Sequence, residues 1–387
     1  MGHTHRTSLV LLSAAAVFAG AVPALAQSPA ATMSMDDLVA KANAEGNLSV
    51  IALDPNWCGY RSVIDAFKAK YPGIAVNELN PLGSSGDELS AIDANKGNSG
   101  PAAPDVIDVG LSFGPQALAA GQLQPYKVST WDSIPDSAKD PDGNWVGDYY
   151  GILAFETNTA VQPDAPKTYK DLLDPKYKGQ VALPGDPRSS NQAIQAVYQS
   201  ALENGGGIDD AAPALAFWAQ LAQAGNYIPV IAKSGTIASG ETPVTVRWSY
   251  NALADRDAAD ATGTDPIAVN VPEGAPWGGV YVQGISAYAP HPNAAKLWEE
   301  YLYSDEGQLG YLHGYCYPIR FDAMKTAGTI PADDLAKLPD ATGAIFPTLD
   351  QLTAASTAIT TQWDSVVGIA PPTPAPATPA PSASTTP

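Results

Sequence analysis

Residues 48–76 read LSVIALDPNWCGYRSVIDAFKAKYPGIAV. The apolar run Leu48-Ser49-Val50-Ile51-Ala52-Leu53 has the length and branching of a buried strand, and Val63, Ile64 and Phe67 then recur along one helical face. Ile74-Ala75-Val76 returns as a second strand. The next unit repeats the order. Leu89 and Ile92 lie on a helix opened by Ser84-Ser85-Gly86-Asp87, and Val106-Ile107-Asp108-Val109 follows as a further strand. This β-α-β-α-β alternation predicts an α/β protein whose open, mostly parallel sheet is covered by helices. Ligands of such sheets sit in the crevice beyond the carboxyl ends of the strands.

Outward from that stretch, Tyr149 to Leu153 reads as an extended segment leaving the first sheet. Strand candidates Val181-Ala182-Leu183, Val244-Thr245-Val246 and Ile267-Ala268-Val269 follow, with helical stretches at 190–203, 210–224 and 251–260 between them. Val280 to Tyr288 is again extended, and Pro292 stands where a first helical turn holds it, ahead of Leu297, Trp298, Tyr301 and Leu302. Two extended crossings predict two lobes. The first lobe takes 27–152 and 282–367, the second 153–281, and a cleft lies between them that hinge motion can close.

The chain ends frame this body. Arg6, the apolar run Leu9 to Gly20 and the small-residue site Ala24-Leu25-Ala26 predict an export signal cleaved after Ala26. No Cys stands at that site to accept a lipid, so a freely diffusing periplasmic protein is expected. Residues 368–387 are rich in Pro, Ala, Thr and Ser and predict an extended, disordered tail. Loss of the signal changes the balance from 20 Lys+Arg and 40 Asp+Glu to 19 and 40, a net charge near −21. That argues against nucleic acid and anionic membrane as partners. It suits a cationic ligand and a merely solvated surface equally well. Two cysteines, Cys58 and Cys316, are expected to pair in an oxidising compartment, the alternative being two separate buried thiols. His291 and His313, the only histidines beyond the signal, form no metal-ligand spacing, and no cofactor is implied.

From about residue 36 to 367 the chain resembles the periplasmic solute-binding proteins of ATP-binding-cassette importers, in the class of the spermidine/putrescine and ferric-ion receptors. The landmarks are Asn56-Trp57-Cys58-Gly59-Tyr60, Asp171 to Gly179 (DLLDPKYKG), Pro292 to Trp298 (PNAAKLW) and Gly314 to Arg320 (GYCYPIR). The resemblance implies a type II two-lobed fold, a small solute held between the lobes, and delivery to a membrane permease. A receptor that must open and close fits a monomer best, and catalysis is not expected. In the polyamine receptors aromatic rings hold the methylene chain and carboxylates hold the ammonium ends. Trp57 and Tyr60 match the first aromatic pair, Trp248 a second-lobe ring and Asp186 one carboxylate. Ser189 stands where a second carboxylate belongs, and nothing around Tyr281 to Gly284 matches the Trp and Asp of the polyamine clamp.

A competing ligand class comes from Gly83-Ser84-Ser85-Gly86-Asp87. Hydroxyls and free N–H groups at a helix start suit a small anion or zwitterion, with Arg247 or Arg188 as counter-charge. Ser84 and Ser85 are also ordinary helix caps. The candidate ligand-binding set is therefore Trp57, Tyr60, Ser84, Ser85, Asp186, Trp248, Tyr250, Asn251 and Tyr281. The aromatic members are equally consistent with packing, and Asp54 and Asp108 either face the cleft or cap turns. Two other readings remain open: a secreted hydrolase using paired carboxylates, although no Gly-x-Ser-x-Gly or His-Glu-x-x-His motif occurs, and a binding module that feeds a sensor or chemoreceptor.

Overall fold

The computed structural model describes residues 1–2, 33–263, 266–273 and 276–368. The expected export signal beyond its first two residues, and the tail after residue 368, lie outside the described residues. Helix α1 (Met35–Glu45) is capped by Ser34 and stops at Gly46, whose φ of 69° is the left-handed conformation that ends helices. Strand β1 (Asn47–Ile51), α2 (Tyr60–Lys70), β2 (Ala75–Leu79), α3 (Ser85–Ala94) and β3 (Val106–Gly110) follow in the expected order. β1 is shorter than its apolar run because Ala52 turns to φ 59° and redirects the chain.

β1 and β2 pair in parallel, from Asn47↔Ala75 to Ile51↔Leu79. β3 does not extend that ladder. It is tied to β1 through Asp105, whose Oδ2 accepts from Ser49 N at 2.7 Å and whose N–H donates to the Ser49 carbonyl at 2.8 Å. After α4 (Phe113–Ala119) and β4 (Leu123–Gln124) comes the 13-residue β5 (Val146–Asn158). Then follow β6 (Val181–Leu183), α5 (Asn191–Glu203), α6 (Ala212–Ala224), β7 (Tyr227–Ile231), α7 (Ser234–Ala238), β8 (Val244–Trp248), α8 (Ser249–Thr262), β9 (Ile267–Asn270) and β10 (Gly278–Ser286). The chain closes with α9 (Pro292–Leu302), α10 (Asp305–His313), β11 (Tyr317–Pro318), α11 (Phe321–Ala327), α12 (Ala332–Leu335) and α13 (Leu349–Val366).

The larger sheet runs β3-β10-β5-β8-β6-β7, with β4 on β10 and both β9 and β11 on β5. Parallel pairing is confined to β1–β2, β6–β7 and β6–β8, and every antiparallel pair contains β5 or β10. β5 is the bridge. Its first half, to Ile152, pairs with β10 and β11, and from Leu153 onward it pairs with β8 and β9. The larger sheet is therefore mixed rather than mostly parallel, antiparallel wherever the crossing strands β5 and β10 pair and parallel at β6–β7 and β6–β8, while β1–β2 is a separate parallel pair. That difference places the carboxyl ends of β1, β2, β6 and β7 around one crevice.

α13 packs against α5 and α6, not against the first-lobe elements with which the sequence reading of 282–367 grouped it. Trp363 explains the placement: it is buried, 6.3 Å from the Trp218 ring and 6.0 Å from Tyr227. On the other side Phe67 of α2 sits edge-on against Trp298 and Tyr301 of α9. These aromatic clusters are large buried payloads of the two groups of helices.

Candidate functional site

A cavity of about 390 Å³ opens at those strand ends. One wall is formed by Asp54 and Trp57 after β1, Ser84, Ser85, Asp87 and Glu88 at the start of α3, Asp108 on β3 and Tyr281 on β10. The other is formed by Asp186 and Ser189 after β6, Ser190, Asn191 and Gln192 at the start of α5, Lys233 after β7 and Arg247 on β8. The walls touch. Gly86 N–H donates to the Ser189 carbonyl at 3.2 Å, and the Asn191 side chain lies so close to Gly110 that a Cβ there would stand 1.9 Å from its Cγ.

On the first wall, Trp57 donates from Nε1 to the Tyr149 hydroxyl at 2.6 Å and meets Tyr250 and Tyr281 edge-on. Ser84 and Asp87 form a reciprocal capping box on α3, so Ser84 both lines the cavity and caps the helix. Ser85 Oγ accepts from Gly110 N at 3.2 Å. Behind this wall lies a buried polar cluster. Tyr60 and Tyr149 hydroxyls both donate to Asp108 Oδ2, at 2.7 and 2.8 Å, and Gln283 donates to Asp148 at 3.0 Å. Asp108 Oδ1 has no protein partner. Burial pushes the Asp108 carboxyl up to about 7 against the pull of those two phenols. Glu88, whose Oε2 accepts from Asp108 N at 2.8 Å, is raised well above the carboxylate range by burial first and by Asp108 second.

The second wall carries the cations. Arg247 donates from Nη1 to Asp255 at 2.8 Å and Glu156 at 3.3 Å, while its Nε–H has no partner. Burial raises Glu156 to about 8 even though Arg247 pulls it down. Lys233 forms no ion pair among the described residues; burial and then Arg247 lower its pKa, while Asp54 and Asp87 across the cleft oppose that.

Five of the nine candidate residues line the cavity: Trp57, Ser84, Ser85, Asp186 and Tyr281. Four do not. α2 begins at Tyr60 and turns that ring into the core, where it is fully buried. Trp248 and Tyr250 are fully buried because glycines on the crossing strands receive their rings: a Cβ at Gly279 would stand 2.1 Å from Trp248, and one at Gly151 2.4 Å from Tyr250. Asn251 turns to Gln192, accepting its amide at 3.0 Å. Asp186 faces the cavity but is held bidentately by Arg188, at 2.6 and 2.8 Å, and Arg188 reaches on to Asp364. Sequence reasoning missed Lys233 and the Ser190-Asn191-Gln192 turn. Ser190 before an apolar-periodic run was a legible helix start, whereas Lys233 carried no signal.

Cys58 and Cys316 form a disulfide. His291 bonds Asp105 and His313 bonds Asp334, and neither lines the cavity. Among the described residues no three His, Cys, Asp or Glu side chains converge as a metal ion needs.

Residues 102–343, more than half of the chain, match the family model of bacterial extracellular solute-binding proteins. The chain belongs to that family. It is 27% identical over 263 residues to iron uptake protein A1 of Synechocystis sp., covering 65% of this chain and 71% of that protein. It is 34% identical over 168 residues to an uncharacterized protein of Haemophilus influenzae; that match covers 40% of this chain and spans 46% of the relative. Among solved structures, the periplasmic binding protein AfuA from Actinobacillus pleuropneumoniae, with fructose-6-phosphate bound, superposes with a TM-score of 0.66 at 21% identity, covering 84% of this chain and 99% of that one. Iron-bound HitA from Pseudomonas aeruginosa gives 0.61 at 19% identity, with the same 84% and 99% coverage. These likenesses establish the fold: this solute-binding protein has the two-lobed type II architecture of periplasmic receptors. No helix among the described residues is long and apolar enough to cross a membrane.

Proposed function

We propose that this solute-binding protein captures a small hydroxylated organic anion, a carboxylate or phosphate ester, between its lobes. The carrying observation is the second wall, where among the described residues the Arg247 Nε–H has no partner and Lys233 forms no ion pair, and where the starts of α3 and α5 meet the same cavity. Cations and helix N-termini together favour negative charge. The first wall complements a neutral end. Asp108 and Glu88, both raised by burial, offer hydrogen bonds to hydroxyls more readily than charge to an ammonium group.

The polyamine reading fares worse on the same residues. Asp186 is already neutralised by Arg188, Trp248 and Tyr250 face the core, and a polycation would meet Lys233 and Arg247. For the iron of the uptake relatives, no three His, Cys, Asp or Glu side chains converge among the described residues. A sugar phosphate of the kind bound in the AfuA structure has the chemistry both walls suit. We further read the chain as exported by cleavage after Ala26, working as a periplasmic monomer, and handing its closed form to the permease of an ATP-binding-cassette importer. Residues 27–152 belong to one lobe and 153–281 to the other, with 282–348 returning to the first.

Thermal unfolding of the full chain with fructose-6-phosphate, a hydroxycarboxylate, inorganic phosphate, spermidine and ferric citrate tests this. A bound solute at about a hundred times its Kd adds about 2.7 kcal/mol of stability. A shift with either organic anion is expected; a shift with spermidine alone overturns the reading.

A further inference from the structure

The Cys58–Cys316 disulfide sits in a knot of unusual backbone. Cys58 has φ 47° and Tyr315 φ 67°, both in the left-handed region that residues with a side chain avoid. Gly314 passes so close to the other loop that a Cβ there would stand 2.2 Å from both the Cys58 carbonyl carbon and the Gly59 nitrogen. Backbone held in such conformations persists only when its surroundings over-determine it, and it marks a place where side chains are being aimed.

What this knot aims is two side chains at one helix. Trp57, next to Cys58, meets Tyr250 edge-on with ring centroids 5.3 Å apart. Tyr315, next to Cys316, donates its hydroxyl to the Asp257 carboxylate. Tyr250 and Asp257 lie on α8 seven residues apart, two turns along the same face. The knot belongs to the first lobe, through β1 and α10, whereas α8 falls within 153–281 and packs on β8, β9 and β5. Both contacts therefore cross between the lobes.

We propose that the Cys58–Cys316 knot is a two-pronged clasp on α8 that holds the lobes together before any solute arrives, and so sets the solute-free ratio of open to closed cleft. The inference concerns regulation of the site described above and rests on the reading that the lobes close around a solute. Trp57 is both prong and cavity wall, which couples the clasp to the contents of the cleft. Tyr315 lies outside the cavity lining and acts on closure alone.

The test is single-molecule energy transfer between dyes placed on α1 and α6 of the full-length protein by chemistry that spares cysteine. Tyr315→Phe and Asp257→Ala are each expected to raise the open-to-closed ratio about three- to tenfold, the effect of one hydrogen bond. The double variant should add nothing beyond either single one, because both remove the same bond. Replacing both cysteines by serine should exceed either, since both prongs loosen. Circular dichroism melting establishes that each variant is folded. Identical distributions for wild type and Tyr315→Phe, in a protein whose lobes do open and respond to fructose-6-phosphate, overturn the clasp and leave the receptor reading intact. Lobes that never separate, together with silence across the solute panel, overturn both.

Discussion

On one side of the cleft Asp108 and Glu88 are buried carboxyls whose pKa values burial has raised, and their neighbours are phenols and backbone amides. On the other, Arg247 is equally buried yet held beside two carboxyl groups, and Lys233 is only half-buried. The first wall lowers its charge by protonation; on the second, burial raises Glu156 to about 8 as well, and Arg247 keeps its charge beside Asp255. A buried ion without a partner costs several kcal/mol, and proteins meet that cost by one of these two routes. The buried pair Asp108 and Glu88, with the acidic residues Asp54 and Asp87 beside them, thus faces Lys233 and Arg247, and under the proposed function these unlike walls discriminate between the ends of a solute.

The comparison breaks most sharply at Arg247. Arg247→Met leaves Glu156 and Asp255 without their cation, and stability should fall by about 3 kcal/mol in urea unfolding. A loss below about 1 kcal/mol would show that the second wall does not depend on pairing. Asp108→Leu probes the first wall, since Leu keeps the volume while taking the Oδ2 acceptor away from the Tyr60 and Tyr149 hydroxyls. The expected cost is about 2 kcal/mol at pH 5. That cost should shrink as pH rises. The folded carboxyl, at about 7, holds a proton that the unfolded chain releases near pH 4. The native state therefore binds more protons between those values, and the contribution of Asp108 is full below about pH 4 and lost as pH rises through 7. Glu88 on α3, Asp148 and Tyr149 on β5, Tyr60 on α2 and Tyr311 on α10 share the cluster, so the titration belongs to the group and is spread over it. A cost that stays constant from pH 5 to 8 would refute protonation as the device.

How much of this contrast the sequence carries depends on the distance over which each feature is encoded. Strand and helix periodicity is local, and β1, β3, β6, β8 and β10 all lie where apolar runs put them. The lining role of Ser84 and Ser85 was legible because a capping box is four residues long. Whether Trp248 faces a ligand or the core is not local. It depends on Gly279, 31 positions later, leaving room for the ring on the neighbouring crossing strand. Asp186 looked like a free carboxylate in Pro184-Gly185-Asp186-Pro187-Arg188, yet the fold turns Arg188 back onto it. The pairing of Arg247 spans from Glu156 to Asp255, two residues whose partnership no spacing rule announces. Placing α13 on α5 and α6 needed the long-range contact of Trp363 with Trp218 and Tyr227.

Smaller effects sharpen the comparison. Lys233 has no ion pair to lose among the described residues, so Lys233→Ala should change the stability of the free protein by less than about 0.5 kcal/mol. Affinity for a stabilising anion, read by calorimetry, should fall about tenfold; an unchanged affinity would leave Arg247 as the sole cation of the site. Arg188→Ala is the mildest change. The Arg188–Asp186 pair is bidentate but partly exposed, with side chains 22% and 26% accessible, and such pairs contribute about 0.5 kcal/mol. Its removal should therefore barely alter melting. What it should alter is selectivity, because a freed Asp186 adds negative charge to the cationic wall. Anion affinity should drop two- to threefold, by about 0.5 kcal/mol, with a matching gain for spermidine. If spermidine binds Arg188→Ala no better than wild type, Asp186 is a wall residue whose charge the solute never meets, and discrimination rests on Lys233 and Arg247 alone.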